Sequence, residues 1–255
     1  ATFRTARRCV GMMSHSDQQH GAQSLKCQSI HHKEGLGGRL ANALTSGSSQ
    51  HRASIYSISG MSAWGAGAQV SQRILSMTKG APAFSSYAAM NTTVQEIAGV
   101  RHGNVYSDGF AAEMKDALDS SELLHRQLEG ADVVTDFPST HVGYRLNQVA
   151  RLISIRDVRK AERDLFYVGM NGFDTHSDML ADTSGLFEEL DGALASFVAE
   201  MRAKGVWDQV VLLTMSDFGR TLTSNGQGTD HAWAGNYFVA GGGVNGGQVL
   251  GTYPS

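Results

Sequence analysis

Cysteine and proline are scarce in this chain. Two cysteines, Cys9 and Cys27, allow one disulfide or none, so the 255 residues are no disulfide-stapled scaffold and their redox compartment is undecided. Three prolines against 30 glycines suit tight loops around regular elements rather than a disordered chain. No apolar run approaches the ~20 residues of a membrane-spanning helix. Arg7-Arg8 resembles a twin-arginine signal, but the apolar stretch from Cys9 to Met13 is too short and Ser14 to Asp17 end it, which rejects that reading. Neither sign of charge is in excess. With 21 basic and 24 acidic residues the formal net charge is −3, which gives no reason to expect a nucleic-acid partner. Internal repeats are absent, and so is the G-x-S-x-G elbow of an ordinary α/β-hydrolase. The glycine-rich stretch Gly241–Gly247 lacks the Lys-Ser/Thr of a phosphate loop and reads as a turn between two strands, the second over 248–251.

What is present centres on residues 165–231. Leu165 to Met170 is an apolar run leading into Asp174-Thr175-His176, and Val210 to Met215 leads into Ser216-Asp217-Phe218-Gly219-Arg220. Between them Leu186, Phe187, Leu190, Ala193, Leu194, Phe197, Val198 and Met201 recur at helical spacing. Ser184 suits the N-cap, Glu188 and Glu189 the first turn, and Gly205 the position past the end. The expected unit is β-α-β, with parallel strands and a right-handed crossover. Ligands of open parallel sheets bind beyond the carboxyl ends of the strands, where Asp174, His176 and Asp217 fall. Asp230-His231 is expected in a loop before a further strand over 236–240.

Elsewhere, helices are expected over 36–44, 87–98, from Phe110 to Leu128 with Gly130 as terminator, and over 141–155; a short strand is expected over 53–59. Residues 1–35 read as a polar surface loop with solvated histidines, His31-His32 among them, and Arg156–Arg163 as a solvated charged connector. At this length a single α/β domain over 1–255 is expected, with 60–103, broken by Gly65, Gly67, Gly80 and Pro82, a lid or peripheral subdomain.

Carboxylate plus imidazole is the ligand set of a hydrolytic metal site for zinc, manganese or calcium. Asp174, His176, Asp217, Asp230 and His231 are the candidate ligands. In the Asp174-x-His176 spacing, Thr175 points away. Arg220 is the candidate substrate-binding residue, able to fork onto a tetrahedral oxyanion. The competing chemistry, a Ser-His-Asp triad, has no nucleophile placed by any motif.

Several blocks together resemble one family. SHSDQQ (14–19), GLGGRLANAL (35–44), RDLFYVGMNGFDTHSD (163–178), SDFGRTLTSNGQGTDHAW (216–233) and GGGVNGGQVLGTYP (241–254) are similar, in order, to domain-of-unknown-function family 1501, mostly exported bacterial proteins of the alkaline phosphatase and sulfatase clan. The resemblance implies a three-layer α/β/α, alkaline-phosphatase-like fold with a mostly parallel sheet, and metal-assisted hydrolysis of small-molecule or saccharide phosphate or sulfate esters. It implies Asp174, His176 and His231 as ligands of one metal and Asp217 of a second. Two departures accompany it. Phe218 stands where the clan places a histidine, and the family's glycine-rich GGNDG segment lies upstream of anything in the chain. The expectation is therefore a fragment of a longer domain, with a sheet that a partner segment completes. A non-catalytic exported protein that keeps the fold for binding or assembly is the alternative.

Overall fold

The computed structural model describes residues 14–26, 33–47, 51–81, 83–84, 86–232 and 235–252, so Cys9, Cys27 and His31-His32 lie outside the described residues. Its central element is a parallel three-stranded sheet of order β2-β1-β3, formed by β1 (Ala53–Ser57), β2 (Gln72–Ile74) and β3 (Arg163–Tyr167). Seven helices surround it among the described residues, giving a mixed α/β architecture. The middle strand β1 is the most deeply packed, with Ile55, Tyr56 and Ser57 all buried. Adjacent strand residues face opposite sides. Tyr56 accordingly joins the main core, while α2 (Leu36–Ser46) lies against β1 with Ala41 fully buried.

Local chemistry explains the helices that periodicity finds. In α4 (Val105–Glu129) the Asn104 side chain accepts from the amides of Tyr106 and Ser107, and Gly130 follows the last turn. The hydroxyl of Thr140 accepts from the Gly143 amide to cap α5 (His141–Ser154), whose stripe of Leu146, Val149, Ala150 and Leu152 is buried. A Cβ at Gly143 would meet the Pro138 carbonyl at 2.1 Å, so only glycine fits that cap. Helix α3 (Tyr87–Gly99) also falls where expected. The crossover helix α7 (Met179–Ala203) packs on α5 through Ala193, Phe197 and Met201 and ends before Gly205, which adopts φ +66°.

Other expectations are corrected. Helix α7 begins five residues before Ser184, whose hydroxyl instead donates to the Leu180 carbonyl one turn back. The apolar run from Val210 supplies only β4 (Leu212–Leu213), which pairs antiparallel with β7 (Val239–Ala240) rather than joining the parallel sheet. Residues 248–251 form no strand, and 236–240 contribute two strand residues only. Residues 15–24 are helix α1 (His15–Ser24), not loop. That helix has almost no apolar stripe, so periodicity misses it. It docks through polar bonds: Gln23 donates to the Tyr167 hydroxyl at 3.0 Å and accepts from the Trp64 amide, and Arg39 donates to the Ser24 carbonyl at 2.6 Å.

The connector 156–163 is not fully solvated either. It holds the single turn α6 (Arg156–Arg159), and Arg159 turns inward with its side chain 5% exposed. Its guanidinium donates to both oxygens of Asp164, to the Tyr56 hydroxyl and to the Leu152 carbonyl. Breaking such a buried pair leaves a carboxylate without its partner. Arg159→Ala is therefore expected to cost about 3–5 kcal/mol of unfolding free energy, read as a lower urea midpoint at unchanged slope.

Candidate metal centre

Three separate segments meet beyond the carboxyl end of β3. The chain leaves β3 at Tyr167 and reaches Asp174 and His176 in an irregular loop, with Thr175 between them buried and the other two side chains open to solvent. A hairpin of β5 (Gly219–Ser224) and β6 (Thr229–Ala232) brings in the second segment, so Asp230 and His231 stand on a strand, not in the loop expected for them. Its turn is built by Asn225, whose side-chain oxygen accepts from the amides of Gln227 and Gly228, and by Gly226 at φ +102°. The third segment is the first residue of α1, His15.

One carboxylate organises the cluster. Asp174 Oδ1 lies 2.7 Å from His231 Nε2 and 3.0 Å from His176 Nε2, and Oδ2 lies 3.4 Å from His15 Nε2. The ligand atoms of His15, Asp174 and His231 all lie within 4.8 Å of one another. The His231 ring is stacked between Phe218, at a centroid distance of 3.8 Å, and His176, at 5.2 Å, and His15 meets it edge-on at 5.0 Å. These contacts fix the imidazole planes. His231 is the best covered of the histidines at 20% exposure; His15 and His176 face solvent.

The remaining predicted residues surround this group without joining it. Asp230 is exposed, with Oδ1 3.8 Å from His176 Nδ1 and 3.4 Å from the Asn225 amide nitrogen. Arg220 is the register partner of His231 across the hairpin. Its guanidinium donates to the carbonyls of Thr229 and Phe173, sits over the Phe218 ring, and reaches Asp174 Oδ1 at 3.6 Å. With those donors engaged, it positions the Asp174 loop against the hairpin. Asp217 lies beside the cluster, close to His15, Tyr167 and Tyr237, and accepts a hydrogen bond from Gln19.

The two aspartates are tuned in opposite directions. The hydrogen bond with His231 holds the Asp174 carboxyl below its usual range; desolvation opposes this, and the charges of His231, His15 and His176 assist it. Burial pushes the Asp217 carboxyl up, opposed by Gln19 and His15. Sequence reasoning missed His15 because it sits in a polar stretch without periodicity. The only sign of it was its place in the SHSDQQ block.

The arrangement defines a mixed α/β protein with an imidazole–carboxylate cluster at the carboxyl end of a parallel sheet. The sequence model of a family described as protein of unknown function (DUF1501) matches residues 106–255, and the chain belongs to that family. Asp174, His176, Asp217, Arg220, Asp230 and His231 fall within the matched region, whereas His15 precedes it. No curated protein and no solved structure matches the chain.

The opposed shifts predict opposed pH profiles. A lowered carboxyl pKa adds stability above the unfolded value, and that stability is lost as pH falls through the native value. Asp174→Asn should therefore lower Tm at neutral pH, with the difference vanishing at strongly acidic pH. A raised carboxyl pKa means that the ionised form is disfavoured in the native state. Asp217→Asn should match or exceed the wild-type Tm at neutral pH and lose that advantage below the ordinary aspartate range. Thermal melts across pH, with chelator present, check both.

Proposed function

We propose that this protein is a metal-dependent hydrolase of phosphate or sulfate esters, of the alkaline phosphatase and sulfatase type. The observation that carries the reading is the convergence of three imidazole Nε2 atoms on the Asp174 carboxylate, with His15, Asp174 and His231 close enough to share one ion. Imidazole nitrogens and a carboxylate together form a donor set suited to zinc or manganese. The fit lies in the donor set: two imidazole nitrogens and a carboxylate oxygen stand close enough for one cation to reach all three. His15, Asp174 and His231 would hold the ion, with His176 beside them on the same carboxylate oxygen. When bound, it would polarise an ester oxygen and lower the pKa of water.

The chain's own residues supply the rest of the reading. Arg220 and the Phe173 carbonyl hold the Asp174 loop at its angle, and Phe218 covers one face of His231. The open sides of His15 and His176 admit a solvent-borne ester. Asp217 would belong to a second ligand position or to substrate contact, with Gln19 holding its carboxyl. The alkaline-phosphatase-like three-layer fold, export from the cytoplasm, and a segment that extends the β4–β7 pair beside exposed Val211, Leu213 and Val239 are parts of the same proposal. Among the described residues no helix is long and apolar enough to cross a membrane.

A second reading, a non-catalytic binding protein that retains the cluster, is favoured by one observation. The Arg220 fork expected for an oxyanion is already engaged by two backbone carbonyls.

Elemental mass spectrometry of protein purified without chelator is the test. About one ion per chain is expected, lost in His231→Ala and Asp174→Ala and reduced in His15→Ala, with folding intact by circular dichroism. Full stoichiometry in all three variants, or no ion after incubation with zinc, manganese and calcium, overturns the metal centre. A metal-loaded protein inactive on both aryl phosphates and aryl sulfates favours the binding reading.

A further inference from the structure

At the opposite end of the sheet, α4 leaves a cavity of about 250 Å³ against the first residues of β1. Arg52, Ser54 and Tyr56 alternate along one side of β1, and Arg73 of β2 is the register partner of Tyr56. Ser120, Leu123, Leu124 and Gln127 face them from α4 at helical spacing, and Arg159 to Ala161 close the end. Four cationic side chains thus line one small space.

They are arranged as a floor and a rim. Arg159 is the floor, held rigid by Asp164, the Tyr56 hydroxyl and the Leu152 carbonyl, with its guanidinium 5.3 Å from the Tyr56 ring centroid. Arg52 is tethered at the rim, donating to the Lys160 carbonyl at 2.8 Å with Glu162 at 3.7 Å. Arg73 and Lys160 complete the rim, both exposed, and among the described residues neither side chain has a hydrogen-bond or ion-pair partner. Asp164 and Glu162 are the carboxylates paired with these cations, and they compensate Arg159 and Arg52. Two positive charges are left uncompensated around a concave site.

We propose that this cavity is a binding site for a small dianion, a phosphomonoester or a dicarboxylate, separate from the imidazole cluster. The terminal nitrogens of Arg159 are taken by Asp164, Tyr56 and Leu152, so it shapes the floor, and the free donors are the Arg73 fork and the Lys160 ammonium, which match planar or tetrahedral oxyanions. Ser54, Ser120 and Gln127 add neutral hydrogen-bonding groups, and Leu123 and Leu124 give an apolar wall for the body of the ligand. The volume lies below the ~300–1,000 Å³ of drug-sized pockets, which limits what the cavity encloses to a small group.

Calorimetric titration of EDTA-treated protein, with inorganic phosphate and with malonate as probes against chloride of matched ionic strength, tests the site. Both probes are expected to bind in the millimolar range or tighter. Arg73→Ala/Lys160→Ala should weaken them at least about tenfold, and Arg73→Gln alone should weaken them to a smaller extent. His231→Ala should leave this binding unchanged, which separates the cavity from the metal centre. Absence of binding, or unchanged affinity in the double variant, overturns the proposal.

Discussion

The parallel pairing of β1 with β3 is the constraint on which the rest depends. It brings Ala53–Ser57 alongside Arg163–Tyr167, joining segments more than a hundred residues apart, and both ends of the pairing are functional candidates. Where β3 ends, the chain is aimed at the Asp174 loop. Where the two strands begin, the Arg159–Asp164 pair is packed under Tyr56. Tyr56 stacks on Phe166, its own register partner, so the sheet carries aromatic contact across the same pairing that sets its direction. A one-residue slip would turn Tyr56 out of the core and scatter both clusters.

Around this frame, polar bonds do much of the fastening that apolar stripes do elsewhere. Helix α1 is held by Gln23 and by the Arg39 contact to Ser24. Buried Glu200 of α7 accepts from the amides of Val134 and Thr135, tying an irregular segment to the helix that crosses the molecule. Each such bond is modest in net terms, but a buried group left without its partner costs far more than the bond contributes. Fastening of this kind gives specific geometry at particular residues, which a site assembled from three segments requires.

This distinction also explains what was legible in the sequence. Helices α4 and α5 could be read because their stripes, caps and terminating residues agree: Asn104 and Gly130 for the one, Thr140 and Leu146 to Leu152 for the other. Asp174 and His176 could be singled out because they follow a strand-like run, and His231 because it stands beside Asp230 in an expected neighbouring loop, and the structure does bring these three together. His15 could not, since a polar helix fastened by side-chain bonds has no periodic signature. The inward turn of Arg159 was hidden for a similar reason. In RDVRKAER every charged residue looks alike, and only the tertiary position of Asp164 and Tyr56 selects the one that is buried. Strand β4 was misassigned because an apolar run shows neither its pairing partner nor its burial, and Val211 and Leu213 are exposed.

The imidazole cluster also has a chronology. Its members enter the chain as it is synthesised in the order His15, Asp174, His176 and His231, so the first must wait until the segment carrying the last has been made. Asp174 and His176 can meet locally, but the His231 contact needs the β5–β6 hairpin to form and dock, and the His15 contact needs α1 to settle against the β3 side. A nascent chain without the β5–β6 hairpin therefore presents isolated groups rather than the assembled cluster. The assembled cluster marks the docking of all three segments.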